Sequence, residues 1–362
     1  MKFAIQFVLA IAVTLSTAFN DTVVGIDGRI RTVAEDAVIQ DDADTNRRCQ
    51  QQNGNYLPIL TPGKYAASAF HNCFHTTAQI YEFLDTLVGQ NANILSKISV
   101  GQTTNGATIV GYKLSTASSR GQSLYFQSMI HAREWIAGSS NLFTLSSILD
   151  DVANNKPTPS DSFDLYFVPI VNVDGYDITW HTNRYQRKNV HEVDINRNFP
   201  SPYSNPNPPS PAADDFPGPY PFSEVEAKSL NDWLQSQRTA WQGFVDIHSY
   251  SGLILYPFGD TRAPIGNGVD AKFEALGRGL QRVMGAYTPE HFYELYMAYG
   301  TFTDYTYREF KKASITIEII GQDFVAPAAD IRTHGKVVYN GLIQFPAKLP
   351  CSMGERLPPL PP

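Results

Sequence analysis

Solidly apolar, strand-like segments alternate with helix-like segments through most of this chain. The segments SLYFQSMI and FDLYFVPIVN enclose the helix-like WIAGSSNLFTLSSILDDV, and WQGFVDIHSY, GLILYPF and ASITIEI follow later. Strands without polar alternation are buried on both faces, which is typical of parallel strands covered by helices. The sequence therefore predicts an α/β fold with a mostly parallel central sheet that is flanked by helices on both faces.

The two ends of the chain differ in composition from this regular region. Residues 1–18 combine Lys2, a short apolar stretch and small residues, as in a secretory signal peptide, so we expect a secreted protein. A membrane anchor is the alternative, but the apolar stretch is shorter than the roughly 20 residues that span a bilayer. Residues 19–60 are polar and acidic and predict a weakly ordered leader or minimal propeptide. One folded domain is expected over residues 61–350, followed by a proline-rich tail over residues 351–362.

Charge and cysteine content narrow the classes of partner. The 362 residues carry a formal net charge of −7 without a basic cluster, which argues against a nucleic acid or an anionic membrane as partner. The three cysteines, Cys49, Cys73 and Cys351, allow three pairings and leave one thiol free or bonded to another chain.

Metal-binding side chains are concentrated where a buried strand turns toward a helix. His131 and Glu134 form an H-x-x-E pattern there, and ligands of open α/β sheets bind outside the carboxyl ends of the strands. Catalytic zinc sites commonly use two histidines and one glutamate. Among the other histidines, His248 alone lies at the end of a strongly apolar strand. We therefore expect these three residues to bind one Zn²⁺ ion.

Glu318 is a carboxylate within the otherwise apolar strand SITIEI. Its burial costs several kcal/mol unless the carboxylate has a partner. A buried ion pair is one explanation, and a catalytic carboxylate facing the metal is the other.

Five motifs, HAREW, NRYQRK, DINRNF, DIHSYSGLILYPFG and TIEI, occur in the order and approximate spacing of the zinc metallocarboxypeptidases. Between about residues 65 and 345 the chain resembles the carboxypeptidase A-like members of the M14 family. The resemblance implies a mixed central sheet, a catalytic domain over residues 61–350 and one Zn²⁺ per chain. It also implies an enzyme that releases the last residue from peptide or protein C-termini, and we expect this enzyme to be a monomer.

The resemblance assigns a role to each matching residue of the reaction centre. His131, Glu134 and His248 are the implied zinc ligands, and Asp194 is the residue that orients His131, with a turn cap as its alternative role. Glu318 is the implied general base that deprotonates the water molecule activated by zinc, and Arg187 faces the carbonyl oxygen as it gains charge.

The resemblance also implies the residues that bind substrate. Arg197, with Asn196 beside it, corresponds to the group that binds the terminal carboxylate, and Tyr296 to a lid over it. Arg133 corresponds to a contact for the incoming chain, with a solvated surface arginine as the alternative. Further residues expected to contact substrate or line the pocket for the departing side chain are Tyr250, Leu255, Gly259, His291, Ala298, Thr301, Thr303 and Thr316.

Thr303 stands where the family has an apolar residue or an acid. A pocket without a fixed charge cannot offset the desolvation of a cationic side chain. We therefore expect neutral C-terminal residues to be preferred, apolar or aromatic ones first, with His291 and Thr301 extending the range to small polar ones. Basic or broad specificity is the alternative.

Three departures from the family accompany the resemblance. The leader is shorter than the family's globular prodomain, so either it is a minimal propeptide that is cut near Arg47–Arg48, or the enzyme is exported active. The proline-rich stretch 199–222 replaces the loop with the family's internal disulfide, and we expect a Cys73–Cys351 bond between the domain ends instead. The main alternative function is a binding protein of the same fold that does not catalyse, and a second is an enzyme for side-chain-linked or cell-wall peptides.

Overall fold

The computed structural model describes residues 22–25, 30–116 and 121–349. The predicted signal peptide, the predicted tail and Cys351 lie outside them. The helices are α1 (Val33–Asn53), α2 (Thr77–Gln90), α3 (Trp135–Ala153), α4 (Val173–His181), α5 (Val225–Ser236), α6 (Val269–Met284), α7 (Phe292–Leu295), α8 (Phe302–Phe310) and α9 (Ile331–Lys348). The strands are β1 (Thr22–Val24), β2 (Ile30–Thr32), β3 (Leu95–Gln102), β4 (Thr108–Leu114), β5 (Ser123–Ser128), β6 (Asp164–Val168), β7 (Trp241–Ser249), β8 (Leu253–Tyr256), β9 (Thr288–His291) and β10 (Ala313–Ile319).

Eight of these strands form one sheet in the order β3-β4-β6-β5-β7-β10-β8-β9. The four central strands β6, β5, β7 and β10 are parallel. Antiparallel pairings follow on both sides, from β4 and β3 on one side and from β8 on the other. The prediction of a mixed, mostly parallel central sheet is therefore confirmed.

Helices cover both faces of this sheet, as β7 shows. Phe244 packs against the rings of Phe302 and Phe310 of α8. The neighbouring Gly243 lies against the ring of Phe345 of α9, so closely that a Cβ atom there would lie 2.6 Å from it. Successive residues of a strand point to opposite faces, so α8 and α9 lie on opposite sides of the sheet. Among the described residues, no helix is both long enough and apolar enough to cross a membrane.

Helix α1 corrects the expectation of weak order in the leader. Thr32 and Glu35 form a capping box at its start, which satisfies backbone donors of the first turn. The helix lacks an apolar stripe, but it buries the polar residues Asp42 and Asn46 against the domain. The helix is thus held mainly by polar contacts to residues distant in sequence, and these contacts leave no amphipathic pattern from which the helix could be predicted. The division of the chain at residues 60 and 61 stays a prediction.

The disulfide joins α1 to the segment that precedes α2. Cys49 is bonded to Cys73, with their Cα atoms 6.0 Å apart. The expected Cys73–Cys351 bond is therefore wrong. The expectation rests on the frequent closeness of the two ends of a domain, whereas the docking of α1 brings Cys49 to Cys73.

Candidate active site

Three neighbouring parallel strands bring the predicted catalytic residues to one edge of the sheet. His131 lies in the turn after β5, His248 is the penultimate residue of β7, and Glu318 is the penultimate residue of β10. In the pairing of β7 with β10, Glu318 is directly opposite His248. Because carboxyl ends of parallel strands meet at the same edge, residues that are far apart in sequence become neighbours.

The three predicted zinc ligands form one buried cluster. Ligand atoms of His131, Glu134 and His248 all lie within 4.8 Å of one another. The Glu134 oxygens lie 2.9 Å from Nδ1 of His131 and 2.9 Å from Nδ1 of His248. Burial by itself would raise the pKa of the Glu134 carboxyl, but the two imidazoles hold that pKa below its ordinary value. Two imidazole nitrogens and one carboxylate oxygen converging in this way fit a zinc ion.

Each imidazole has a carboxylate beside its other nitrogen. Nε2 of His131 lies 3.2 Å from Asp194, and Nε2 of His248 lies 2.9 Å from Asp246. Such outer partners fix the tautomer and orientation of a ligating histidine and raise its basicity. Asp194 was predicted from the sequence, whereas Asp246 was not. The available signal was the D-I-H pattern, because residues two apart on a strand face the same side.

Arg187 is fixed beside the metal cluster by Asp194. Its Nε and Nη2 atoms donate to one oxygen of Asp194 at 3.0 and 2.7 Å, and its Nη1 atom lies 3.2 Å from Nδ1 of His131. Burial alone would lower the pKa of Arg187, but the Asp194 carboxylate raises it above the ordinary value. The guanidinium is therefore a permanent positive charge that faces the site.

Arg197 and Tyr296 form a second polar group in the same cavity. Nη2 of Arg197 donates to the Tyr296 hydroxyl at 3.0 Å, and Nη1 donates to the Asn196 carbonyl at 2.7 Å. Tyr296 is 46% exposed, while Arg197 is buried. The phenol thus lies over the guanidinium from the solvent side.

Glu318 lines this cavity together with the metal cluster, Arg187, Asn196, Arg197 and Tyr296. The cavity has a volume of about 240 Å³, and the predicted Tyr250 is also in its wall. Burial raises the pKa of Glu318 to about 7. A carboxyl group with this pKa can both accept and donate a proton near neutral pH.

The predicted specificity pocket is only partly assembled as expected. Thr316 lines the cavity, and its hydroxyl is 2.6 Å from that of Thr303, so the two threonines lie together. The adjacent apolar cluster consists of Leu255, Phe292 and Ala298. The cavity lining does not include the other residues predicted for this pocket, Leu255, Gly259, His291, Ala298, Thr301 and Thr303. His291 bonds to the Pro257 carbonyl, and Thr301 caps α8.

Arg133 is buried beside the cavity and is not a solvated surface residue. Its guanidinium lies 3.9 Å from the centre of the Phe324 ring, and Nη1 is 3.1 Å from Asp214. Asp214 belongs to the proline-rich stretch, so this loop reaches the site. Neither Phe324 nor Asp214 was predicted, because no local pattern marks a contact between segments so far apart.

The comparisons with known proteins agree with this geometry. Residues 80–341 match the family model described as zinc carboxypeptidase. The chain is 32% identical over 282 residues to mouse carboxypeptidase A1, covering 71% of this chain and 66% of that protein. It is 29% identical over 290 residues to human carboxypeptidase A1, covering 75% and 68%. This chain therefore spans about two thirds of the length of these relatives.

Solved structures show the same architecture. The bovine thrombin-activatable fibrinolysis inhibitor, solved in complex with tick carboxypeptidase inhibitor, superposes with a TM-score of 0.70 at 26% identity, covering 77% of this chain and 98% of that one. Carboxypeptidase A from Helicoverpa armigera has the same fold, with a TM-score of 0.75 at 20% identity and coverage of 88% and 81%. The family match, together with the His–Glu–His cluster, establishes that this chain belongs to the zinc carboxypeptidase family.

Proposed function

We propose that the protein is a secreted zinc carboxypeptidase that hydrolyses the last peptide bond of peptides and proteins and prefers neutral C-terminal residues. One observation carries the proposal. The metal-binding cluster, the carboxyl group of Glu318 and the Arg197–Tyr296 pair all line a single cavity. A binding protein without catalysis would not need Glu318 at this place.

His131, Glu134 and His248 would hold the zinc ion. When bound, zinc supplies a Lewis acid that polarises the scissile carbonyl and makes a neighbouring water molecule more acidic. Asp194 and Asp246 would keep the two imidazoles in the tautomer whose Nδ1 atoms face the ion.

Arg197 would bind the terminal carboxylate of the substrate. A guanidinium matches a carboxylate with two parallel hydrogen bonds, and such charge-assisted pairs are stronger than neutral ones. Tyr296 already lies 3.0 Å from Arg197 and would close over the bound chain end. Since only a chain terminus offers this carboxylate, the pair favours an exopeptidase.

Glu318 would move the protons of the reaction. Its carboxylate would accept a proton from the attacking water as the water oxygen bonds to the carbonyl carbon. It would then donate that proton to the leaving nitrogen as the C–N bond breaks, giving a shortened peptide and a free amino acid. Arg187 would stabilise the negative charge that develops on the carbonyl oxygen.

The pocket walls support a neutral preference. Phe292 lines the cavity with apolar surface, and Leu255 and Ala298 pack against it. The hydroxyls of Thr303 and Thr316 bond to each other where a pocket for a basic residue needs a carboxylate. A lysine ammonium would lose its water there without gaining an ionic partner.

The test is release of single residues from matched peptides that end in Phe, Leu, Thr or Lys. We expect Phe and Leu to be released fastest, a chelator to abolish release, and added zinc to restore it. The same peptides with an amidated C-terminus should resist. Binding without cleavage in the presence of zinc would support the non-catalytic alternative, and faster release of Lys than Phe would overturn the neutral preference. Recovery of active protein from the medium of expressing cells tests secretion.

A further inference from the structure

Helix α1 is fastened to the rest of the protein along its length. Its last turns carry the Cys49–Cys73 disulfide. Asn46, which is 2% exposed, accepts a hydrogen bond from the Phe74 backbone at 3.0 Å. One turn earlier, the buried Asp42 carboxylate is 2.6 Å from Nε of Arg184. These contacts are covalent or buried, unlike those of a loosely attached leader.

Arg184 connects α1 to the walls of the active site. Its Nη1 atom donates to the carbonyl of Arg133 at 2.8 Å, inside the turn that carries His131 and Glu134. Its Nη2 atom donates to the carbonyl of Phe324 at 3.2 Å. Phe324 lines the substrate cavity. One guanidinium therefore joins two wall segments to the helix.

The charge of Arg184 makes this connection depend on Asp42. Both side chains are buried, with exposures of 3% and 9%. A buried cation without its carboxylate is strongly unfavourable, so loss of Asp42 would draw Arg184 toward other acceptors or water. Its bonds to the carbonyls of Arg133 and Phe324 would then weaken. Stacking on the Trp135 ring at 3.8 Å would remain as a contact that does not need the carboxylate.

We propose that α1 is an integral part of the working enzyme and that Asp42 is a positioning residue. Through Arg184 it fixes the turn with the metal ligands and the Phe324 wall of the cavity. This inference rests on the proposed carboxypeptidase function for its kinetic consequences. Its structural consequence, the order of these two wall segments, does not depend on activity.

The candidate cleavage site Arg47–Arg48 lies inside this helix, next to the disulfide. Cleavage there would require local unwinding of a segment that is held by Asp42 and Asn46. The fully active enzyme is therefore expected to retain residues 33–53. Peptide mapping of the purified active protein tests this, and full activity in a form that lacks residues 33–46 would overturn the proposal.

A double-mutant cycle tests the path through Arg184. We expect Asp42→Asn to lower kcat/KM at least 10-fold with zinc content unchanged. In an Arg184→Gln background, the same Asp42→Asn change should have less than a twofold effect, because its partner is gone. Asp41→Asn is the matched control, since Asp41 is on the same helix but exposed and paired with Arg48. Equal effects of Asp42→Asn in both backgrounds would show that Asp42 does not act through Arg184.

Hydrogen exchange measured on the zinc-loaded protein separates this proposal from the proposed function. Asp42→Asn should increase amide exchange in residues 131–136 and 322–327, and Asp41→Asn should not. Unchanged exchange in these segments would overturn the positioning role even if the wild-type protein is an active carboxypeptidase. If Asp42→Asn increases exchange in these segments but the wild-type protein has no peptidase activity, the proposed function alone is wrong.

Discussion

Glu318 and His248 are direct partners across the parallel strands β10 and β7. The general base proposed here and one proposed zinc ligand are thus held on two rigid, hydrogen-bonded strands rather than on loops. Such an arrangement fixes their separation before substrate arrives, which lowers the cost of reaching the reactive geometry.

Replacement of Glu318 by Gln removes the proton acceptor and keeps the shape of the side chain. We expect kcat to fall by about 10²- to 10⁴-fold, the usual contribution of a positioned acid–base group. Zinc content, measured by elemental analysis, should stay at one ion per chain. Glu82→Gln on the exposed face of α2 is the control and should retain wild-type activity. Normal turnover by Glu318→Gln would show that another group takes the proton.

Asp246, which stands 2.9 Å from His248, should tune the metal site. We expect Asp246→Asn to weaken zinc affinity by about 10- to 100-fold, as is typical when the outer partner of a ligating histidine is lost. Competition with a chromogenic chelator measures this affinity. Asp232→Asn is the control, because Asp232 is exposed and pairs with Lys228 on α5. An affinity within twofold of wild type would mean that Asp246 does not support the ligand.

The reaction centre was more predictable from the sequence than the elements that support it. His131, His248 and Glu318 stand out because each is polar at the end of an apolar strand. Asp246 also interrupts such a strand, but a single buried carboxylate suggests an ion pair as readily as a metal site. Spacing along the chain thus indicated which residues converge, and not which groups fix their orientation.

Helix α1 shows why the rest was missed. Its stabilising partner, Arg184, is 142 positions away from Asp42, and Cys49 meets Cys73 only because the helix docks. The helix buries Asp42 and Asn46 together with one apolar residue, Ile39, and has no apolar stripe. Periodicity cannot reveal an element whose stability comes from specific polar contacts with distant residues.

Asp304 gives a prediction for the pH dependence of folding. Burial raises its pKa to about 7, with the nearby Asp260 adding to the effect and Arg308 opposing it. The native state therefore binds this proton more tightly than the unfolded chain, whose Asp pKa is about 3.9. Between these two pKa values the free energy of unfolding should fall as pH rises, by up to about 1.4 kcal/mol per pH unit from this group.

Asp304→Asn should remove that dependence. An amide oxygen can still accept from the backbone amides of Gly259 and Asp260, which now donate to Asp304 at 2.8 and 3.2 Å. We expect the variant to gain stability relative to wild type as pH rises from 5 to 8. Urea unfolding of the zinc-loaded proteins at four pH values measures the difference. Parallel curves for the two proteins would exclude Asp304 as the titrating group.

Asp214 should influence which residues are accepted upstream of the scissile bond, if Arg133 contacts the incoming chain as the family resemblance implies. The Asp214 carboxylate is 3.1 Å from the buried Arg133 guanidinium and is itself 59% exposed. It therefore neutralises much of the positive charge that an acidic substrate residue would otherwise meet. Between two solvated charges 4 Å apart the electrostatic interaction is worth about 1 kcal/mol, which corresponds to about fivefold in rate.

The quantity to compare is the ratio of kcat/KM for a peptide with Glu at the penultimate position to kcat/KM for the same peptide with Lys there. We expect Asp214→Asn to raise this Glu-to-Lys ratio about fivefold over wild type. Because one partner is exposed, the change should shrink at 1 M salt. Asp215→Asn, one residue further along the same loop, is the matched control. If both variants give the wild-type Glu-to-Lys ratio at low salt, the loop does not act on the substrate through Arg133. A ratio that changes equally in both variants would instead reflect the general charge of the loop, since Asp214 is the one of these two aspartates that bonds to the Arg133 guanidinium.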